Sequence, residues 1–183
     1  GWGGLSRGIG RTIVPERLGS GIGDAKTIRR LALISSQAFS IINFRGDLIR
    51  EWVGAGVSVF AFAPDYDADS RARVRALGAE PIEYALSRVG MTPLADVRAL
   101  ARLWLDVRRL RLDATFTYFI KPVIYGNFAA RLAGVRRRFS IVEGAGYVFI
   151  DEEHESWSRR LLRELVLRLY RLGLKGVERG FFL

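Results

Sequence analysis

"RLALISSQAFSIINFRGDLIREWVGAGVSVFAFAPD", Arg30 to Asp65, is the stretch on which the fold turns. "RLALISS" is a short apolar run with strand character. "NFRGDLIREWVGAG" then sets Phe44, Leu48, Ile49, Trp52 and Val53 at helical spacing and stops at Gly54 and Gly56. "VSVFAFAPD" is apolar without alternation and ends at Pro64. A strand that is apolar on both faces needs cover on both faces, and an intervening helix supplies the crossover that parallel strands require.

The same alternation continues outward. "ADSRARVRALG" reads as a short basic helix closed by Gly78, and "EPIEYAL" as a third strand. "TPLADVRALARLWLDVRRLRL" opens with Thr92 as N-cap and Pro93 at the first helical position. "DATFTYFI" is a fourth strand, "KPVIYGNFAARLAGV" a helix closing at Gly134, and "RRFSIVEG" a fifth strand. A long helix is expected from about Glu155 to Leu174, after which "VERGFFL" begins another strand. Strands of this length alternating with helices predict an α/β domain over residues 30–183, a Rossmann-like doubly wound parallel sheet.

Length and composition narrow the function. The chain has 183 residues, enough for one substantial core, and a formal net charge of +10 that favours anionic partners without choosing among them. It has no cysteine, which excludes disulfide scaffolds and cysteine-based zinc sites and fits a reducing, cytoplasmic setting. The only histidine, His154, sits among Glu152, Glu153 and Glu155 and reads as a solvated helix-entry residue rather than a ligand or base. No metal and no resident cofactor are expected. No run reaches the roughly 18 apolar residues needed to span a bilayer. Residues 1–29 are glycine-rich, basic and aperiodic, as in a flexible arm, a cut end or a cloning remnant. Their "GSGIG" has no strand before it and no crossover unit around it, so it is not a phosphate loop.

In a doubly wound sheet, ligands bind beyond the carboxyl ends of the strands. "SSQAFSIINFR", "APDYDAD", "YFIKPVIYGN" and "VEGAGY" would gather there. The first lacks G-x-G-x-x-G but holds Ser35, Ser36, Gln37, Ser40 and Asn43, with Arg45 entering the helix. Helix-start N–H groups and a guanidinium suit an anion. Equally, Ser40 or Asn43 could cap the helix and Arg45 be a solvated charge. Lys121 before Pro122 either faces an anion or is an ordinary exposed lysine. Glu143, at a strand exit, could pair with Arg136, Arg137 or Arg138, accept a sugar hydroxyl, or act as a general base. Gly144 and Gly146 would let backbone approach a bulky ligand.

Taken together, "NFRGDLIREWVGAGVSVFAFAPDYD", "YFIKPVIYGNFAARLAGV" and "VEGAGYVF" resemble the amino-terminal half of family 4 glycosyltransferases, in particular those that build bacterial capsules, exopolysaccharides and lipid-linked glycans. The resemblance covers roughly residues 30–183. It implies half of a GT-B architecture, in which two Rossmann-like domains face a cleft. It also implies transfer of a hexosyl or N-acetylhexosaminyl unit, with retention, from a nucleotide-sugar to a glycan or polyprenyl-diphosphate-linked acceptor. Asn43 and Arg45 would line the cleft near the donor diphosphate or acceptor. Lys121 and Tyr125 would face the acceptor, and Glu143, Gly144 and Gly146 would form the turn beside it, Glu143 binding acceptor first and acting as base second. The donor-side glutamates, spaced E-x7-E in relatives, would belong to a second domain beyond these residues, and this half alone would not turn over.

Two further readings concern the surface. "ESWSRRLLRELVLRLYRLGLKG" puts Trp157, Leu161, Leu165, Leu169 and Leu172 on one stripe and arginines on the other. That is either a core helix with a solvated basic face or, like "RALARLWLDVRRLRL", a site of peripheral attachment to the anionic inner face of the plasma membrane. The rival function is a basic Rossmann-like module for nucleic acid or another polyanion, against which no recognition element interleaves aromatics with arginines. Nucleic acid is therefore not an expected partner. A small nucleotide-binding enzyme complete in itself is disfavoured by the missing phosphate fingerprint.

Overall fold

The computed structural model describes residues 27–85, 93–142, 168, 172–174 and 177–182. Among these residues lie, in order, β1 (Arg30–Ile34), α1 (Ala38–Gly54), β2 (Ser58–Ala63), α2 (Ala68–Ala76), β3 (Glu80–Glu83), α3 (Pro93–Arg109), β4 (Ala114–Tyr118), α4 (Ile120–Leu132), β5 (Arg137–Val142) and β6 (Arg179–Phe182). All five strand pairings are parallel, and the six strands lie in the order β3-β2-β1-β4-β5-β6. This is the Rossmann order, and the expected doubly wound sheet is what the chain forms.

The two faces carry separate cores. Leu31, Leu33, Val59, Ala61, Phe116 and Tyr118 point to one side and meet Ile41 and Ile49 of α1 and Val74 of α2. Ala32, Ile34, Phe60 and Phe62 point to the other and meet Leu103 and Val107 of α3 and Ala129 and Ala130 of α4. Alternate residues of β1 and β2 thus serve opposite cores, which is why these strands show no polar alternation in sequence.

Several boundaries and faces differ from the sequence reading. α1 begins at Ala38, a turn and a half before Asn43, so Arg45 stands in its second turn rather than at its entrance. Phe44, expected on the apolar face, is 64% exposed, while Leu48, Ile49, Trp52 and Val53 pack on the core as expected, joined by Ala38 and Ile41. Neither Ser40 nor Asn43 caps the helix. β4 ends at Tyr118 and α4 starts two residues on, so "FI" belongs to the turn and helix rather than the strand. Thr92, His154 and most of the Glu155–Leu174 segment lie outside the described residues, as does the arm before Thr27. Arg168 and Leu172–Leu174 within that segment are helical.

α4 sits unusually close to the sheet. A Cβ placed on Gly126 would come within 2.8 Å of Thr117 Cγ2 and 3.3 Å of Ile34 Cδ1, so only a bare backbone fits. One residue later, buried Asn127 donates through Nδ2 to Ser140 Oγ and to Val123 O, both at 2.8 Å. Ser140 Oγ in turn shares a hydrogen bond of 2.8 Å with Thr117 Oγ1. This network joins α4 to β4 and β5, in a layer that also buries Thr115 and Arg138. Buried polar groups so paired fix the helix in one register.

Candidate functional site

Strand order reverses between β1 and β4. The chain leaves β1 toward β2 on one side and leaves β4 toward β5 on the other, so an opening forms above their adjacent carboxyl ends. Its two lips are the junctions β1–α1 and β4–α4.

The β1–α1 lip is held by hydrogen bonds from three other parts of the chain. Buried Ser35 donates its backbone N–H to Phe62 O at 2.9 Å, and its carbonyl accepts the Tyr84 hydroxyl at 2.8 Å. Its Oγ accepts the Gln37 N–H at 3.2 Å. Gln37 is extended and contributes no side-chain cap. The cap comes from the loop after β2: Asp65 Oδ1 accepts the Ala38 N–H at 2.7 Å. A carboxylate at a helix N-terminus satisfies an orphan N–H and complements the dipole. Of the two readings of this helix start, an anion site or an ordinary capped helix, the Asp65 carboxylate on the Ala38 N–H fits the second.

The β4–α4 lip uses no side-chain cap. A single residue, Phe119, turns the chain from strand to helix at φ 69°, ψ 157°, a region that is essentially glycine's. Its carbonyl accepts the Val123 N–H at 2.9 Å. Such strain persists only where surroundings over-determine it, and it concentrates at ligand sites. Lys121 and Pro122 follow in the first turn of α4, as expected from the sequence.

Tyr118 ties the lips together. It is the last residue of β4 and fully buried, and its hydroxyl accepts a hydrogen bond of 3.1 Å from Ser40 of α1. The Arg45 guanidinium lies over its ring at 4.9 Å, and the Phe119 ring lies 5.0 Å away. Arg45 is thus brought from α1 to the end of β4, two elements that meet only through the fold. Asn43 is exposed and its Nδ2 donates back to Phe39 O at 2.8 Å. Beside it Phe39 and Phe44 are both exposed and meet edge to face at 6.0 Å. Tyr125 is half-buried and packs against the core on the α3/α4 side. Glu143, Gly144 and Gly146 lie outside the described residues.

Electrostatically the opening is divided. On the β2–β3 flank, burial, then the neighbouring Tyr118, and Asp65 push the phenol of Tyr84 well above its ordinary range. Burial, Tyr118 and Asp65 do the same to Tyr66, opposed only by Arg71. Both phenols stay neutral donors: Tyr66 bonds Ala61 O at 2.9 Å and Tyr84 the carbonyl of Ser35. On the β4 flank stand Arg45 and Lys121. A ligand carrying negative charge is therefore favoured toward α4 and disfavoured toward Asp65. Asp65, Tyr84, Tyr118 and Phe119 were missed by sequence reasoning, although "APDYDAD" and "YFIKPVIYGN" had been placed at this rim.

A Rossmann-like sheet with a polar opening at its switch point defines a class shared by many nucleotide- and sugar-handling proteins. Comparison narrows it. No protein-family model matches the sequence. Over 153 residues the chain is 28% identical to an N,N'-diacetylbacillosaminyl-diphospho-undecaprenol alpha-1,3-N-acetylgalactosaminyltransferase of Campylobacter jejuni subsp. jejuni serotype O:2, matching 84% of this chain and 39% of that one. The chain thus spans about two fifths of the length of that curated relative. At 28% identity the match is a resemblance to part of that glycosyltransferase. Among solved structures, a UDP-N-acetylglucosamine 2-epimerase from Listeria monocytogenes superposes with a TM-score of 0.57 over 85% of this chain and 39% of its own, at 9% identity. A second UDP-N-acetylglucosamine 2-epimerase gives 0.55 over 86% and 40%, also at 9% identity. At that identity the likeness is one of fold, to about two fifths of each epimerase chain.

Proposed function

We propose that this chain is the acceptor-side half of a retaining glycosyltransferase that moves a hexosyl or N-acetylhexosaminyl unit from a nucleotide-sugar to a polyprenyl-diphosphate-linked glycan. The observation that supports the reading is the convergence at the β1/β4 switch of Arg45 from α1, stacked on Tyr118, with Lys121 from α4 beside a strained Phe119. Two diphosphates meet in such a reaction, one on the donor and one under the acceptor glycan, and cationic side chains on one lip suit either. The sequence similarity to an enzyme named for a diphospho-undecaprenol acceptor supports the choice of acceptor.

In the proposed reaction a hydroxyl of the acceptor sugar bonds to the anomeric carbon on the face the leaving group vacates. The bond from that carbon to the nucleotide diphosphate breaks with its electron pair, and the hydroxyl proton passes to the departing phosphate oxygen. Asn43, Arg45, Lys121 and Tyr125 position acceptor and diphosphate. Glu143 contributes to acceptor binding first and to proton transfer second, with Gly144 and Gly146 forming the turn that admits the sugar. The donor is held mainly by a second α/β domain facing this one.

Titration calorimetry on the chain tests the assignment. A short-chain polyprenyl-diphosphate glycan should bind, a nucleotide-sugar alone should not, and Lys121→Ala should weaken acceptor binding about tenfold while circular dichroism is unchanged. Tight binding of the nucleotide-sugar without the acceptor, or an unaltered affinity in Lys121→Ala, would refute it.

A further inference from the structure

Phe39 and Phe44 are 62% and 64% exposed, whereas every other described aromatic side chain between residues 27 and 142 is buried or half-buried. The two rings touch, meeting edge to face with centroids 6.0 Å apart and planes at 82°. They therefore form an open aromatic corner on the first two turns of α1, at the β1 lip of the opening. Single exposed apolar residues are ordinary; two rings held together at the rim of an opening mark a place of contact.

The place is small. Successive residues of a helix turn by about 100°, so Phe39, Asn43 and Phe44 share an outward arc of about 140°. One turn further along, the same arc carries exposed Asp47, paired with Arg50 at 2.6 Å, and then exposed Glu51. The apolar surface thus ends within two turns of the rim. A partner helix or an isoprenoid chain would need it to continue, and an anionic lipid surface would meet Asp47 and Glu51. Asn43 lies between the rings on this arc. Its Nδ2 donates to Phe39 O at 2.8 Å, which holds the amide in place and makes Oδ1 a fixed acceptor.

We propose that Phe39, Asn43 and Phe44 form a subsite for a neutral pyranose ring, one sugar of the acceptor glycan. A pyranose has a face of C–H groups, which the electron-rich face of an aromatic ring attracts, and edge hydroxyls that donate to an amide oxygen. The corner offers both within the span of one or two sugars. Arg45 follows Phe44 in sequence but turns inward over the Tyr118 ring at 4.9 Å. The cationic mouth and the aromatic corner therefore adjoin along one helix. That the sugar belongs to an acceptor rests on the acceptor-side reading above; the contact itself requires no diphosphate.

Saturation-transfer NMR on the chain, with a panel of free hexose and N-acetylhexosamine disaccharides, tests the subsite. Transfer is expected to the C–H protons on one face of one sugar ring. Phe39→Leu/Phe44→Leu keeps the surface apolar and should weaken binding about tenfold. Asn43→Ala should weaken it about fivefold. All three positions are exposed, so circular dichroism should stay parental. A short-chain polyprenyl diphosphate without sugar should bind the parent and the double variant alike. Absence of transfer to every sugar in the panel would overturn the proposal, as would unchanged sugar binding by the double variant. Weaker binding of the sugar-free diphosphate by that variant would also overturn it, because the rings would then hold isoprenoid. If the parent binds sugars through these rings but not the sugar-free diphosphate, the pyranose subsite stands and the acceptor-side reading of the opening falls.

Discussion

The two lips of the opening solve the same problem, turning a buried strand into a helix, by opposite means. At β1–α1 the chain takes three residues, Ser35 to Gln37, and relies on hydrogen bonds from distant parts of the sequence: the Asp65 carboxylate, the Tyr84 hydroxyl and the Phe62 carbonyl. At β4–α4 it takes one residue, without a side-chain cap, and forces an aromatic residue into a glycine-like conformation. The first junction is relaxed and already filled by the protein's own charge. The second is strained and flanked by cations. The contrast teaches that the side of the opening fit for an anionic ligand is the one where the fold stores strain, while the side rich in hydrogen bonds serves as support.

The sharpest way to break that contrast is at Phe119. Both Phe119→Ala and Phe119→Gly remove the ring, but only alanine keeps the steric conflict at φ 69°. The glycine variant should be more stable than the alanine variant by about 1–2 kcal/mol in urea denaturation. Equal stability would mean that no strain is stored there. Asp65→Ala attacks the other lip. Losing the cap on Ala38 should lower stability by about 1 kcal/mol, and amide exchange at Ala38 should rise with it. Unchanged exchange would show that the carboxylate does not hold the helix start.

The smallest effect concerns pH. Burial raises the Tyr84 phenol above its ordinary value, so up to about pH 10 both folded and unfolded forms are neutral and stability is flat. Above that the unfolded phenol ionises while the folded one does not, and stability falls as pH rises. Tyr84→Phe should make that alkaline fall shallower without abolishing it, because Tyr66 is shifted the same way. An identical urea-midpoint profile in the variant would remove Tyr84 from the account.

Particular residues explain what could be read in advance. The parallel sheet was legible because "LALI" and "VFAFA" are apolar on both faces, which a doubly covered strand tolerates. The start of α1 was not, because its cap lies 27 residues downstream on another loop, and Gln37 rather than Ser, Thr, Asp or Asn holds the N-cap position. Phe44 fits an apolar helical spacing yet points outward, since spacing alone does not say where the stripe is centred. Phe119 carries no signal at all: a reader looks for glycine where φ is positive. For the site, the rule that ligands gather at strand carboxyl ends brought Arg45 and Lys121 to the opening. The stacking of Arg45 on Tyr118 depends on strand order, which no stretch of sequence states.

The contact around Gly126 and Asn127 has its own implication for substitutions in α4. Within "KPVIYGNFAARLAGV", those two residues, with Ala129 and Ala130, are committed to seating a helix on a sheet, whereas Lys121 and Pro122 stand in the helix turn at the mouth. Substitution along most of this block would therefore be felt first as a loosened helix on its sheet rather than as a change at the opening.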